Sequence, residues 1–273
     1  MARPRTTTRR RTRRARQPKR ILNVNPSPKP EQDWTFEHAA AADIIARAAA
    51  VPASKDLRAS WWTINDQGAT GSCVGWATAD SVLRWHFVKA GRLETSQLLS
   101  PRFVWMASKE TDADITRPTT FIETEGTSLK TALDVSRKFG VVRDLYLPFT
   151  SGKLYPGQAK TFYAIAALRK TLAYFNLDTN LSNWRSWLAT KGPILVRLDV
   201  DATWDNATFT SGNLDDYQPD TTRGGHAVAL VGYTASRFIV RNSWGTGWGD
   251  NGFGYASLAY AQTAFTEAYG VAV

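Results

Sequence analysis

The single cysteine of the chain, Cys73, lies in the stretch Q-G-A-T-G-S-C-V-G-W-A-T-A-D-S, residues 67–81, which constrains the fold more than any other. Glycines and small polar residues precede Cys73, and apolar residues recur after it every three or four positions. This pattern predicts a helix from near Cys73 to about Ala90, ended by Gly91. Unpaired N–H groups at a helix start favour an anion, so a thiol there tends toward its nucleophilic thiolate. The alternative is a buried cysteine that packs as a small apolar side chain.

Gln67 lies six residues before Cys73 and carries a side-chain amide. That amide could donate a hydrogen bond beside the backbone N–H of Cys73. Two such donors aimed at one point stabilise the oxyanion that forms during acyl transfer. The spacing therefore favours the nucleophile over the packing interpretation of Cys73.

The chain has three histidines that could act as a base. His38 lies in the N-terminal extension, and His86 is about 20 Å along the predicted helix from Cys73 at about 1.5 Å per residue. His226 remains, at the start of a predicted strand whose hairpin partner ends at Asn242. An asparagine there can orient the imidazole toward a thiolate. Taken alone, His226 would be a structural histidine and Asn242 a turn residue. Together with Cys73, the two residues predict a nucleophile, a base and the residue that orients the base.

The N-terminal half of the chain predicts helices and the C-terminal half predicts strands. Caps, apolar spacing and glycine stops favour helices within 34–50, 103–109 and 128–139, and from Ser182 to about 191. A polar loop is expected at 111–127. Apolar and β-branched runs favour strands at 194–200, 227–231, 238–241, around Tyr255 and at 265–273.

The net charge of +10 is concentrated at the N-terminus of this 273-residue chain. Residues 1–30 hold eleven Lys and Arg and no acid, whereas the remainder holds 23 basic and 24 acidic residues. We expect 1–30 to be a basic disordered tail, because it has almost nothing to bury. Residues 1–20 could bind a polyanion or an acidic partner through their positive charge; a solvated tail without a partner is the alternative.

Several classes of protein are disfavoured by the sequence. No apolar run reaches the roughly 18 residues that span a bilayer, and the basic N-terminus lacks the apolar core of a secretion signal. One cysteine allows no intramolecular disulfide, and its spacing from the histidines is not that of a zinc site. We therefore expect no metal, no cofactor and no membrane span, a monomer, and a location in the cytoplasm or export by a non-classical route.

Three stretches resemble the papain-like cysteine peptidases. They are the run from Gln67 through Cys73 into the helix, the run G-G-H-A-V-A-L-V-G-Y from Gly224, and the run R-N-S-W-G-T-G-W-G-D-N-G-F from Arg241. The resemblance covers about 51–273 and is loose between 110 and 180. It implies an α+β fold of two lobes, a helical left lobe and an antiparallel, β-barrel-like right lobe, with the active-site cleft between them.

The resemblance also implies roles for individual residues. Those implied to act in catalysis are Cys73 as nucleophile, His226 as base, Asn242 as orienter and Gln67 as oxyanion donor. Those implied to bind substrate are Gly126, Thr127, Ala227, Trp244 and Trp248. In the family, tryptophans in these positions cover the histidine–asparagine bond (Trp244) and line the leaving-group side (Trp248).

The chain departs from the family in three places. Thr70 replaces a cysteine that forms a disulfide in many members, and Val74 replaces the usual aromatic residue after the nucleophile. The glycine pair that binds extended substrate is reduced to Gly126 with Thr127. The resemblance therefore leaves the substrate backbone contacts less defined than the catalytic set.

These observations divide the chain into a tail at 1–30, a short N-terminal segment at 31–50 and a peptidase domain at 51–273. Apolar residues at 34–50 predict that this part packs on the domain and restricts the cleft. The function expected is a cysteine endopeptidase that works through an acyl-thioester and is made as a zymogen. The alternatives are a weak or inactive papain-fold binding protein, which the intact catalytic set argues against, and a thiol acyltransferase.

Overall fold

The computed structural model describes residues 20–45, 51–111, 126–150 and 155–273. Residues 1–19 of the expected basic tail lie outside this part of the chain. So do most of the polar loop expected at 111–127 and the end of the helix expected within 34–50.

The helices of the described residues are concentrated in the first two thirds of the chain. They are α1 (Phe36–Ala41), α2 (Cys73–Gly75), α3 (Arg84–Lys89), α4 (Pro101–Thr111), α5 (Leu129–Lys138), α6 (Ala159–Ala167), α7 (Leu181–Thr190), α8 (Ala202–Asp205) and α9 (Leu258–Ala264). A π-helical segment, Trp76–Leu83, joins α2 to α3. The three pieces form one continuous helix, residues 73–89, which we call the central helix.

The predicted helix boundaries hold where local chemistry sets them. The central helix ends at Lys89 with Ala90 as its C-cap, and Gly91 follows with a φ of 69°. The side chain of Ser128 accepts the N–H of Thr131 at the start of α5. The cap of α7 was expected at Ser182 but is Asn180, whose side chain accepts two backbone N–H groups of the first turn. An asparagine serves this purpose at least as well as a serine.

The strands form one sheet, with members β1 (Lys55–Asp56), β2 (Ala173–Asn176), β3 (Ile194–Val200), β4 (Asn213–Leu214), β5 (Gly224–Tyr233), β6 (Arg237–Arg241), β7 (Phe253–Ser257) and β8 (Phe265–Ala272). Their order is β2-β8-β3-β5-β6-β7-β4, with β1 paired to β5. Neighbours are antiparallel except β4 and β7, which are parallel. The sheet is therefore mixed and, over the described residues, not closed into a barrel.

The central helix lies between the helical lobe and the sheet. It packs against α4 and α5 on one side and against β5 on the other. At Gly75 a Cβ would stand 2.4 Å from the carbonyl oxygen of Pro101, so only glycine permits this approach of α4. Two apolar clusters, one on each side of the sheet, complete the core. The α+β architecture predicted from the sequence is confirmed.

The N-terminal extension differs from the sequence-based expectation. Helix α1 packs beside β2, where Thr35 bridges to Asn176, and Ile45 is buried in the apolar cluster behind the sheet. Residues 20–28, which were expected to be part of a disordered tail, instead lie against the domain, with Val24 only 4% exposed. Among the described residues no helix is both long enough and apolar enough to cross a membrane.

Candidate active site

Cys73 begins the central helix and is completely buried. The loop before it is fixed to the sheet side, because the N–H of Gln67 donates to the carbonyl oxygen of Ser243 at 2.8 Å. The thiol lies within hydrogen-bonding reach of the backbone N–H of Ala227. The fold therefore places Cys73 beside the residue that follows His226.

His226 and Asn242 are joined by a hydrogen bond of 2.8 Å between Nε2 and Oδ1. The same Oδ1 accepts the backbone N–H of Ser243 at 2.8 Å, which fixes the amide so that its oxygen faces the ring. Because Oδ1 can only accept, the neutral imidazole carries its hydrogen on Nε2 and its lone pair on Nδ1. That Nδ1 is buried and has no hydrogen-bond partner among the described residues.

The hairpin of β5 and β6 produces this pair. Ala229 is opposite Arg241 in the antiparallel register, so the beginning of β5 and the end of β6 lie side by side. Asn242 follows directly and is held by its N–H, which donates to the carbonyl oxygen of Gly252 at 3.1 Å. The sequence predicts His226 and Asn242 at the same end of a hairpin, and the structure has them there, joined by a hydrogen bond.

Three tryptophans enclose the imidazole. The ring of Trp244 lies 4.9 Å from that of His226, between centroids. The ring of Trp204 lies 5.8 Å from that of His226, and the ring of Trp248 packs on Trp204 at 4.6 Å, again between centroids. The sequence analysis missed Trp204, because it lies in the short helix α8 outside the motifs. Its local signal is Asp201, whose side chain accepts the N–H of Trp204 and starts α8.

The side chain of Gln67 is held with its amide nitrogen toward the cysteine loop. Its Oε1 accepts the hydroxyl of Ser243 at 2.8 Å, and its Nε2 donates one hydrogen to the carbonyl oxygen of Thr70 at 3.0 Å. The amide is therefore not free to flip, and the second hydrogen on Nε2 is available to an oxyanion.

Burial determines the protonation states in this arrangement. It raises the pKa of the Cys73 thiol to about 11, against the opposing effects of nearby N–H groups and of Arg197. It lowers the pKa of His226 to about 4, although the bond to Asn242 acts the other way. Near neutral pH the described state therefore pairs a thiol with a neutral imidazole.

Residues 22–25 run in extended form across the site. The N–H of Val24 donates to the carbonyl oxygen of Gly225 at 3.2 Å, next to His226, and the N–H of Asn25 donates to that of Thr127 at 3.1 Å. At Gly126 a Cβ would stand 1.9 Å from the carbonyl oxygen of Asn23, so the segment passes where a side chain would block it. Gly126 and Thr127, predicted to bind substrate, thus contact the chain's own N-terminal segment.

Lys130, on α5 of the helical lobe, binds the residues that follow this segment. Its Nζ donates to the carbonyl oxygens of Pro28 and Lys29 and lies 2.5 Å from Asp33 Oδ1. On the sheet side, the N–H of Ser27 donates to Glu267 at 3.0 Å. The segment is thus fixed to both walls of the cleft.

Arg20 anchors the other end of the segment at the tryptophan side. Its Nη1 donates to Asp66 Oδ1 at 2.5 Å and to the carbonyl oxygen of Gly68 at 2.9 Å. Its Nη2 donates to Asp66 Oδ2 and to the carbonyl oxygen of Trp244, each at 3.2 Å. Partial burial acts to raise the pKa of Asp66, but the bonds from Arg20 and the N–H of Gly68 outweigh it and lower that pKa.

The other two histidines have structural roles. His38 accepts the N–H of Thr35 through Nδ1 at 3.0 Å and closes the start of α1. His86 is buried in the central helix with Nε2 3.2 Å from the carbonyl oxygen of Pro193. In the part of the chain that the structure describes, no group of three His, Cys, Asp or Glu side chains is placed to hold a metal ion.

Comparison with known proteins gives matches over most of the chain. The sequence profile of the papain family cysteine proteases matches residues 51–269. A cathepsin L-like proteinase of Fasciola hepatica is 26% identical over 211 residues, which are 75% of this chain and 60% of the relative. Papain of Carica papaya is 61% identical over 28 residues, 10% of this chain and 8% of papain. The chain thus matches less than two thirds of the length of each of these relatives.

Solved structures share the fold. Xylellain, a cysteine protease from Xylella fastidiosa, superposes with a TM-score of 0.76 at 20% identity, covering 95% of this chain and 98% of that one. Digestive procathepsin L 3 of the Tenebrio molitor larval midgut gives a TM-score of 0.62 at 18% identity, covering 94% and 76%. The family profile and these structures agree on the architecture.

Proposed function

Since the chain belongs to the papain family of cysteine proteases, we propose that it is a cysteine endopeptidase that forms an acyl-thioester on Cys73. The observation that carries this proposal is the bond from His226 Nε2 to Asn242, which leaves the lone pair of Nδ1 as the ring's proton acceptor. His226 directly precedes Ala227, whose N–H lies within hydrogen-bonding reach of the Cys73 thiol. A neutral histidine in this position can take the thiol proton and so activate the nucleophile.

The proposed reaction begins when Nδ1 of His226 takes the thiol proton and Sγ of Cys73 attacks the peptide carbonyl carbon. The negative charge moves to the carbonyl oxygen, where Gln67 Nε2 and the N–H of Cys73 can donate. The imidazolium then gives its proton to the leaving amine as the C–N bond breaks. Water, deprotonated by Nδ1, attacks the thioester carbonyl; the acid leaves and the thiol forms again.

We further propose that residues 20–28 restrain this activity. The support is their position: a substrate must replace Asn23, Val24 and Asn25 to reach Gly126, Thr127 and Gly225. In this state the burial of the thiol raises its pKa and so works against thiolate formation. The part of the extension that we expected to restrict the cleft, 34–50, has its described residues beside β2 instead.

The direction of the segment predicts that it is a poor substrate itself. The leaving amine must be near His226, under Trp244, so the leaving-group side of the cleft is the side of Arg20. The family resemblance puts the acyl part of a substrate at Gly126 and Thr127. The segment runs from Arg20 toward Asn25, opposite to a substrate, and so does not present a carbonyl in the productive direction.

The test is hydrolysis of an unfolded protein and of internally quenched peptides by the full chain, with and without Cys73→Ala. We expect Cys73→Ala to abolish turnover and Asn242→Ala to retain a reduced rate, because an orienter costs less than the nucleophile it serves. A thiol-directed peptide inhibitor should add its mass to Cys73 in the active protein. Equal hydrolysis by the wild type and Cys73→Ala would refute the proposal.

A further inference from the structure

The Arg20 side chain is bound through both terminal nitrogens of its guanidinium, whereas its buried Nε has no hydrogen-bond partner among the described residues. Two nitrogens of the fork each reach one oxygen of Asp66, and each also donates to a backbone carbonyl, of Gly68 or of Trp244. The guanidinium carbon lies 5.4 Å from the centroid of the Trp244 ring. The side chain is only 5% exposed although Asp66 itself is 47% exposed.

Each element of this site favours arginine over other side chains. A carboxylate that accepts from two nitrogens matches the planar fork, and a lysine ammonium offers no such pair. The two carbonyl oxygens accept only, so a ligand must present donors to both. The face of Trp244 adds attraction for a flat cation.

The site belongs to the rigid frame of the active centre and not to the segment that fills it. Asp66 and Trp244 pair as an antiparallel bridge, and the N–H of Gly245 donates to the carbonyl oxygen of Asn65 at 3.1 Å. Asp66 Oδ1 also accepts the N–H of Gly68 at 2.8 Å, which holds the carboxylate in place. In this bridge Asp66 directly precedes Gln67, and Trp244 packs on the His226 ring. The position of the bridge relative to the proposed reacting atoms is therefore fixed.

From these contacts we infer that Asp66, the carbonyl oxygens of Gly68 and Trp244 and the Trp244 ring form a substrate subsite for arginine on the leaving-group side of the cleft. Arg20 occupies it in the restrained state, and a substrate arginine within two residues after the scissile bond occupies it during turnover. This inference rests on the proposed peptidase function and names the substrate class of the same site: peptides cut shortly before an arginine.

The test uses the full chain with Arg20→Ala, which vacates the subsite, and three otherwise identical quenched peptides. These carry arginine, citrulline or lysine at the first or second position after a cut mapped by mass spectrometry. Citrulline keeps the shape of arginine, loses its charge and turns one donor into an acceptor. Because all peptides meet the same enzyme, the fraction of molecules with an open cleft cancels in each ratio of kcat/KM.

We expect kcat/KM for the arginine peptide to exceed that for the citrulline peptide by about tenfold at one of the two positions. The factor is that of a charge-assisted pair of hydrogen bonds, reduced because the half-exposed Asp66 is screened by solvent. Asp66→Asn in the same background should bring the ratio near one, because the amide keeps an oxygen for the N–H of Gly68 but loses the charge. Asp215→Asn is the matched control, since Asp215 pairs with Arg237 and is 53% exposed, and it should keep the full ratio.

A ratio near one at both positions, equal rates for arginine and lysine, or a preference that survives Asp66→Asn would overturn the inference. Hydrolysis of any of the peptides that Cys73→Ala abolishes supports the peptidase function separately. If no peptide is cut, that function fails, and binding to Arg20→Ala/Cys73→Ala decides the subsite. The arginine peptide should then bind about tenfold more tightly than the citrulline peptide by fluorescence anisotropy, and equal binding would rule the subsite out.

Discussion

The orientation of two side-chain amides determines what the site can do at the scale of single residues. Asn242 presents its oxygen to His226 because Ser243 donates to the same atom. Gln67 presents its nitrogen to the cysteine loop because Ser243 Oγ donates to its oxygen. Ser243 therefore fixes the orientation of both amides, one beside the proposed base His226 and the other the proposed oxyanion donor, a connection that the motif alone does not reveal.

Gln67→Ala should lower kcat by about 10² to 10³ with little change in KM. The amide would donate to the oxyanion, which exists only beyond the ground state, so its loss removes transition-state binding alone. Steady-state kinetics on one quenched peptide would measure this. Gln262→Ala, an exposed glutamine on α9, is the control and should behave as the wild type. A change confined to KM would assign Gln67 to substrate binding instead.

Among the elements, residues 20–28 are the ones that we propose to restrain activity. Arg20→Ala should raise the initial rate of the full chain on a small peptide by about fivefold to tenfold, because it removes charge-assisted bonds to a half-exposed carboxylate. Arg185→Ala is the control: Arg185 also donates to backbone carbonyls, at the far end of β5 from His226.

The same assay distinguishes this segment from α1. Phe36→Ala, in the part of the extension first expected to cover the cleft, should leave the rate per folded molecule unchanged. Activation by Phe36→Ala with none by Arg20→Ala would show that the restraint lies in residues 34–45 after all.

The central helix is tied to the strand that ends at Asn242 by buried charges. Arg241 donates to Ser81 Oγ at 2.5 Å and to Asp80 Oδ2 at 2.9 Å, and Arg84 lies 3.4 Å from the same carboxylate. Arg241→Met should lower the free energy of unfolding by about 3 kcal/mol, because the buried Asp80 carboxylate then keeps only the longer contact with Arg84 and the bond from the neutral Asn65 amide.

Urea unfolding followed by tryptophan fluorescence would measure the effect. Arg223→Met is the matched control, since Arg223 forms an exposed ion pair with Asp205, and it should cost less than about 1 kcal/mol. Equal losses for the two variants would mean that the buried network contributes nothing special.

At the scale of the whole molecule, contiguous motifs made the placement of the proposed catalytic residues predictable. Cys73, His226 and Asn242 each lie at an element boundary that local sequence marks, and a hairpin register is short-range information. The α+β architecture followed from the same helix and strand patterns. The openness of the sheet over the described residues and its parallel pair, β4 with β7, did not follow from them, because both depend on how distant strands pair.

What the sequence could not predict depends on long-range side-chain contacts. Arg20 belongs to an arginine-rich run and looks like any other charge there, yet the structure gives it a carboxylate 46 residues away. Val24, four residues further on, is buried where its own N–H donates to Gly225 and the N–H of Asn25 donates to Thr127. The composition of residues 20–28 predicted that they belong to the tail. Composition describes charge and apolar content, but not whether a segment fits a distant cleft.

Acid should destabilise the folded chain through its buried histidines. Burial lowers the pKa of His86 from 6.5 to about 4, despite the opposing bond to Pro193. Between these values the unfolded state binds more protons, so the free energy of unfolding rises with pH from about 4 to 6.5 and loses up to about 3 kcal/mol on acidification.

Urea unfolding at pH 4.5, 5.5 and 7 would test this with His86→Gln, which can still donate to Pro193 but does not titrate. Its stability should depend less steeply on pH than that of the wild type over this window. Parallel pH dependences would contradict the assignment to His86.

The central claim is that Cys73 carries the acyl group during peptide hydrolysis, and acid-quenched mass spectrometry of the full chain tests it most directly. During turnover of a slowly deacylating peptide ester, we expect the peptide fragment that holds Cys73 to gain the mass of the acyl part. That gain should vanish with Cys73→Ala. Hydrolysis that proceeds with Cys73 unmodified, and equally fast in Cys73→Ala, would contradict the account.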